Sequence, residues 1–128
     1  MRQCLPFKDP SFPLGDIQEA IRRIQDFTAG MEFEDFRQDL KTVAAVERKL
    51  QLISEAAIRL GEDAERLCPG MQWRNIRGIG NWLRHQYDRI DLETIWRTVS
   101  ADLPPLLQAV ESAISQLPKY PGGGRMGA

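Results

Sequence analysis

The sequence predicts an all-α protein, an antiparallel four-helix bundle with short extra helices. Three observations predict it. Apolar residues recur three and four apart through every long segment, the spacing that gives a helix one buried stripe. No apolar run alternates with period two, and the strongest short hairpin signals, Asn-Gly and Asp-Gly, do not occur. The chain has 128 residues, 42% hydrophobic and 27% charged, which suits one soluble domain large enough to bury its own core.

Residues 1–13 carry three prolines and no period, and read as an extended arm ahead of a helical domain over residues 14–117. Leu14, Ile17, Ile21, Ile24 and Thr28 lie at helical spacing, with Asp16 as an acidic residue for the first turn and Gly30 as the stop. Residues 32–39 form a short turn of helix that packs Phe33 and Phe36. The clearest helix covers residues 40–60. Val43, Val46, Leu50, Ile53, Ala57 and Leu60 make its bundle seam, and Leu52, Ala56 and Ile58 a second stripe that calls for another neighbour, such as a second subunit. Glu55 and Arg59 are spaced for an ordinary i,i+4 surface ion pair.

A short helical piece at residues 62–67 stops at Cys68-Pro69-Gly70. The helix after it contains Gly78 and Gly80, each costing about 1 kcal/mol relative to alanine, which points to a close approach or a local distortion. Asp91 is placed to cap a helix through Leu92, Ile95, Trp96 and Val99. Asp102-Leu-Pro-Pro restarts the chain, and Leu106, Leu107, Val110, Ile114 and Leu117 make the last amphipathic helix. The Gly-rich residues 118–128 read as a disordered tail. Ile24, Leu50, Ile53, Ala57, Ile79, Leu83, Ile95 and Val110 are the expected core.

Composition excludes several function classes. Net charge is −1, so nucleic acid can be held only by a local basic patch. No apolar run approaches the roughly 20 residues that span a bilayer. The start of the chain does not read as a signal peptide, and the expected location is cytoplasmic. Cys4 and Cys68 make neither a disulfide framework nor a metal site with one histidine, so both read as reduced thiols and no metal or cofactor is expected. No phosphate loop, nucleophile elbow or inward carboxylate cluster is present.

The chemistry concentrates between Trp73 and Asp88. This stretch holds the chain's one histidine, His85, together with Arg74, Arg77 and Arg84. At 3.6 residues per turn, Arg74, Gly78, Asn81 and His85 share one stripe, while Ile76, Ile79 and Leu83 share another that can face a core. A histidine can take the proton of a ribose 2′-hydroxyl or protonate a leaving oxygen near neutral pH, and arginines can hold phosphate charge. RNA brings its own nucleophile, so such a site needs no metal. A base and an acid that are both histidines require two chains, which links this chemistry to a symmetric dimer. Trp73, Trp82 and Trp96 read as packing residues rather than base-stacking platforms.

The order of several blocks resembles the HepT-like toxins of the HEPN superfamily, small all-helical ribonucleases of prokaryotes. These blocks include Asp16-Ile-Gln-Glu-Ala-Ile, Phe27-Thr-Ala-Gly, Phe36 with Asp39, Thr42-Val-Ala-Ala-Val, Ser54-Glu-Ala-Ala-Ile-Arg-Leu60, and Trp73 through Tyr87. The family motif is Arg-x4-His-x-Tyr, usually with Asn directly after the Arg. Asn81, His85 and Tyr87 match it; Gly80 stands at the arginine position. The resemblance implies His85 and Asn81 as catalytic residues in a dimer cleft. It also implies a nucleotidyltransferase-type antitoxin as partner, which in some members adds nucleotide units to the motif tyrosine, here Tyr87. Arg74, Arg77 and Arg84 are the candidate RNA-binding residues. Two functions remain open: an active metal-independent endoribonuclease toxin, or a nuclease-weakened relative that binds RNA, a nucleotide or the antitoxin.

Overall fold

A computed structural model describes residues 9–85 and 91–118. It contains seven α-helices among these residues and no strand: α1 (Ser11–Phe27), α2 (Phe33–Gln38), α3 (Leu40–Leu60), α4 (Glu62–Leu67), α5 (Trp73–His85), α6 (Leu92–Arg97) and α7 (Leu103–Gln116). One π-helical turn, Thr98–Asp102, joins α6 to α7. The four long helices are α1, α3, α5 and α7. Of the expected arm (1–13) and tail (118–128), residues 1–8 and 119–128 lie outside the described residues, and residues 11–13 of the arm are helical, the start of α1.

Helix α3 is the centre of the packing. It takes α1 on one side and α5 on another, and α7 closes against α1. The expected seam is the core: Val46, Leu50, Ile53 and Ala57 are buried, as are Ile24, Leu83, Ile95 and Val110. Ile79 is only partly buried against that core. Of the second α3 stripe, Ala56 is buried but Ile58 is 59% exposed.

The helix ends follow local chemistry. Asp39 caps α3 by accepting from the Thr42 N–H (3.1 Å) and the Thr42 hydroxyl (2.8 Å), and these bonds hold its carboxyl below the ordinary range. Asp91 does the same for α6 through Thr94. Gly61, at φ +55°, turns the chain from α3 into α4 in a conformation that L side chains rarely adopt.

Two local expectations are corrected. Helix α1 begins at Ser11, so Asp16 is not in its first turn. Asp16 instead accepts a hydrogen bond from Arg59 of α3 at 2.6 Å, so Arg59 ties two helices together rather than pairing with Glu55. Sequence spacing favours the i,i+4 partner, but helix packing brings the distant carboxylate closer.

The two glycines of α5 differ in kind. A Cβ added at Gly78 would meet nothing within 4 Å, so no packing contact explains that glycine. Gly78→Ala should therefore raise stability by about 0.5–1 kcal/mol, as read by chemical denaturation; an unchanged or lower midpoint would show that the helix is distorted there.

Candidate functional site

Helix α5 runs antiparallel to α3. The Arg77 guanidinium reaches the carbonyl of Gly61 at the end of α3, and Gly80, one turn on, lies against Ser54. The buried side of α5 carries Trp73, Gly80 and Leu83, with Ile76 and Ile79 partly covered. Trp73 fixes the helix start by donating its indole N–H to the Cys68 carbonyl at 2.9 Å. Arg74, Gly78 and Asn81 are exposed, as their common stripe requires. The helix reaches its last residue at His85, one turn beyond Asn81. Tyr87 lies outside the described residues.

Gly80 is buried because α3 closes on it. Its N–H donates to Ser54 Oγ at 3.1 Å, and the Ser54 hydroxyl donates to the Arg77 carbonyl at 2.7 Å. A Cβ at position 80 would stand 3.1 Å from Ser54 Oγ and 3.5 Å from Ser54 Cβ. The glycine thus answers a close approach, one of the two explanations that the sequence left open. Arg84 folds back over the same spot: its Nη1 would lie 3.9 Å from that Cβ.

The three arginines singled out from sequence are not equivalent. Arg77 is engaged, donating to both Glu65 carboxylate oxygens (3.0 and 2.7 Å) and to the Gly61 carbonyl. The hydrogen bond from Arg77 holds the Glu65 carboxyl below its ordinary value. Arg74 and Arg84 differ from every other described arginine: among the described residues they alone have no hydrogen-bond or ion partner.

Sequence reasoning missed Ser54 and Glu47. Both sit among apolar residues on one side of α3, in the three-four series Val43, Glu47, Leu50, Ser54, Ala57. Two polar residues in such a series were the available signal. Glu47 lies seven residues before Ser54, toward the C-terminal end of α5. It is half-buried without a hydrogen-bond or ion partner among the described residues, and burial pushes its carboxyl up. Folding then binds a proton as pH falls between the folded and unfolded values, so this group makes the fold more stable toward lower pH. Glu47→Gln should be more stable than the wild type at pH 7. The gap should close as pH drops through the carboxylate range. Urea titrations at several pH values check this; a glutamine variant less stable at pH 7 would mean that the carboxylate has a stabilising partner.

The Cys68 thiol is buried and pushed up by that burial, so it is a poor nucleophile. Among the described residues no group of three His, Cys, Asp or Glu side chains is placed to hold a metal ion. No helix among them is long and apolar enough to cross a membrane.

The comparisons with known proteins all lead to ribonuclease relatives. The family model described as Ribonuclease HepT-like matches residues 17–113. A Thermococcus cleftensis protein named "Probable ribonuclease HepT" is 42% identical over 93 residues, covering 73% of this chain and 84% of its own. A Methanocaldococcus jannaschii protein with a provisional RNase name is 35% identical over 113 residues, covering 88% of this chain and 93% of its own. No solved structure shows a significant match. The all-helical fold, the match over most of the chain and these two relatives together place the chain in the HepT-like ribonuclease family.

Proposed function

We propose that this chain is the ribonuclease toxin of a toxin–antitoxin pair: a cytoplasmic, metal-independent endoribonuclease that acts as a homodimer with two His85 residues facing a shared cleft. The state of the α5 arginines carries this reading. Arg74 and Arg84, the arginines with no partner among the described residues, flank Asn81 on the helix that ends at His85. An unpaired guanidinium on a solvent face is available to phosphate, whereas Arg77 would first have to release Glu65.

In the proposed reaction the ribose 2′-oxygen attacks the adjacent phosphorus. One His85 accepts the 2′ proton while the partner's His85 protonates the departing 5′-oxygen. The P–O5′ bond breaks and the upstream fragment keeps a 2′,3′-cyclic phosphate. Arg84 supplies the cation for developing phosphate charge, and its guanidinium over Gly80 supports that substitution. Asn81, one turn before His85, orients the phosphate. A nucleotidyltransferase-type antitoxin is the proposed partner, with Tyr87 as the residue it modifies.

RNA binding as a function of salt tests the cation assignment. Arg74→Gln and Arg84→Gln should each lower the slope of log K against log[salt] by about 0.7, the value for one phosphate contact to a single strand. Arg77→Gln should leave that slope unchanged and lower stability instead. A slope that falls only in Arg77→Gln would reassign the phosphate contact.

One observation favours a second reading, a nuclease-weakened relative that binds RNA, a nucleotide or the antitoxin. Position 80 holds no cation of its own and is sealed by Ser54. Under that reading the chain binds RNA without cleaving it.

A further inference from the structure

Helix α5 leaves a groove along its side facing α6. Leu50 of α3 and Ile95 line a cavity of about 400 Å³, with Gly78 and Trp82 on the α5 side and Thr94 and Thr98 opposite. Arg74 and Asn75 also line it. It shares Asn75, Ile79 and Thr98 with a second cavity of about 300 Å³, which extends toward Leu103 and Leu106. The two cavities therefore adjoin along these three residues, between Trp82 and the start of α7.

We propose that this groove is a nucleobase subsite for single-stranded RNA, with Trp82 as the stacking surface and Arg74 as the phosphate contact. The inference rests on the ribonuclease reading above. Four features favour a base over an apolar protein segment. Trp82 is only partly buried, so part of its indole surface stays accessible. Gly78 has open space where a side chain would stand, which leaves room beside the helix backbone for a flat ring. Asn75 donates to Gln72 Oε1 at 2.6 Å, which leaves its carbonyl oxygen and second amide hydrogen for the edge of a base. Arg74 is exposed and unpartnered among the described residues, and gives the groove a positive rim that suits a phosphate but not an apolar helix.

The groove also adjoins the chemistry. Arg74 and Gly78 lie on the stripe that continues to Asn81 and the helix end at His85. A strand with its scissile phosphate at that end would pass a flanking nucleotide along the groove. Base–aromatic stacking accepts any base, so the subsite would raise affinity and set strand polarity more than it would select one sequence.

The test uses the 128-residue chain, with the four nucleosides and their 5′-monophosphates as probes. The indole N–H signal of Trp82, assigned by its loss in Trp82→Phe, is followed by NMR during each titration. Single-stranded decamer RNA is followed by fluorescence anisotropy. The expected result is a saturable shift of the Trp82 signal, weakened about tenfold or more in Gly78→Leu, which fills the groove from an exposed helical position. Arg74→Gln should weaken the phosphate-bearing probes but not the bare nucleosides. Thermal unfolding confirms that each variant folds. RNA binding with no Trp82 shift, and equal binding by Gly78→Leu, would overturn the subsite and leave the ribonuclease reading standing. Loss of dimer in Gly78→Leu with nucleotide binding intact would overturn it too, and would assign the groove to a protein contact. Absence of RNA binding and cleavage altogether would remove the ribonuclease reading and the subsite with it.

Discussion

Replacing His85 with alanine is expected to lower the rate of RNA cleavage by about 10²–10⁴, the range for loss of one acid–base group. In a symmetric dimer the substitution removes both imidazoles at once, so the upper part of the range is expected. His85 is the chain's one histidine, and Cys68 is buried with its thiol pushed up, so neither a second imidazole nor Cys68 replaces it. Binding should survive, because Arg74 and Arg84 remain. The pattern to look for is a fall in kcat with a nearly constant KM. Mixing His85→Ala with the wild type adds a check on the cleft: activity should fall with the square of the wild-type fraction, because each cleft needs the imidazoles of both chains.

Gly80→Arg is expected to fail as a gain-of-function change. The resemblance alone suggests that arginine at position 80 would restore a catalytic cation. The packing of α3 on α5 says otherwise. Position 80 is buried, and even a Cβ there meets Ser54 Oγ at 3.1 Å. Overpacking of this kind costs about 1–3 kcal/mol, and taking a guanidinium from water without a partner adds to it. The variant should unfold at clearly lower denaturant and show no increase in cleavage. Both nearest atoms belong to Ser54, so Ser54→Gly combined with Gly80→Arg should recover much of the lost stability, a non-additive coupling of the kind neighbours show. If Gly80→Arg alone is as stable as the wild type, the Ser54 contact does not set the identity of residue 80.

Much of the fold was legible because helices announce themselves locally. The seam from Val43 to Leu60, the cap at Asp91 and the proline restart after Asp102 each depend on residues within a turn or two. Contacts between helices were not legible. Arg59 has a suitable carboxylate four residues before it, yet it pairs with Asp16, 43 residues away. The same holds at the site. Sequence grouped Arg74, Arg77 and Arg84, and only the return of α5 beside α4 separates them by giving Arg77 to Glu65. Gly80 was recognised as unusual, but its cause is a serine 26 residues earlier on another helix. Trp82 read as a packing residue; it is half-buried and also lines a groove, and no spacing rule distinguishes those two uses.

The most direct test of the whole account is the end chemistry of RNA cut by the purified chain in the presence of a chelator, wild type beside His85→Ala. The account predicts that the wild-type chain cuts RNA without metal and leaves 2′,3′-cyclic phosphate on the upstream fragments, and that His85→Ala produces almost none. Cleavage that survives His85→Ala, or that leaves 3′-hydroxyl ends and stops with the chelator, would contradict it.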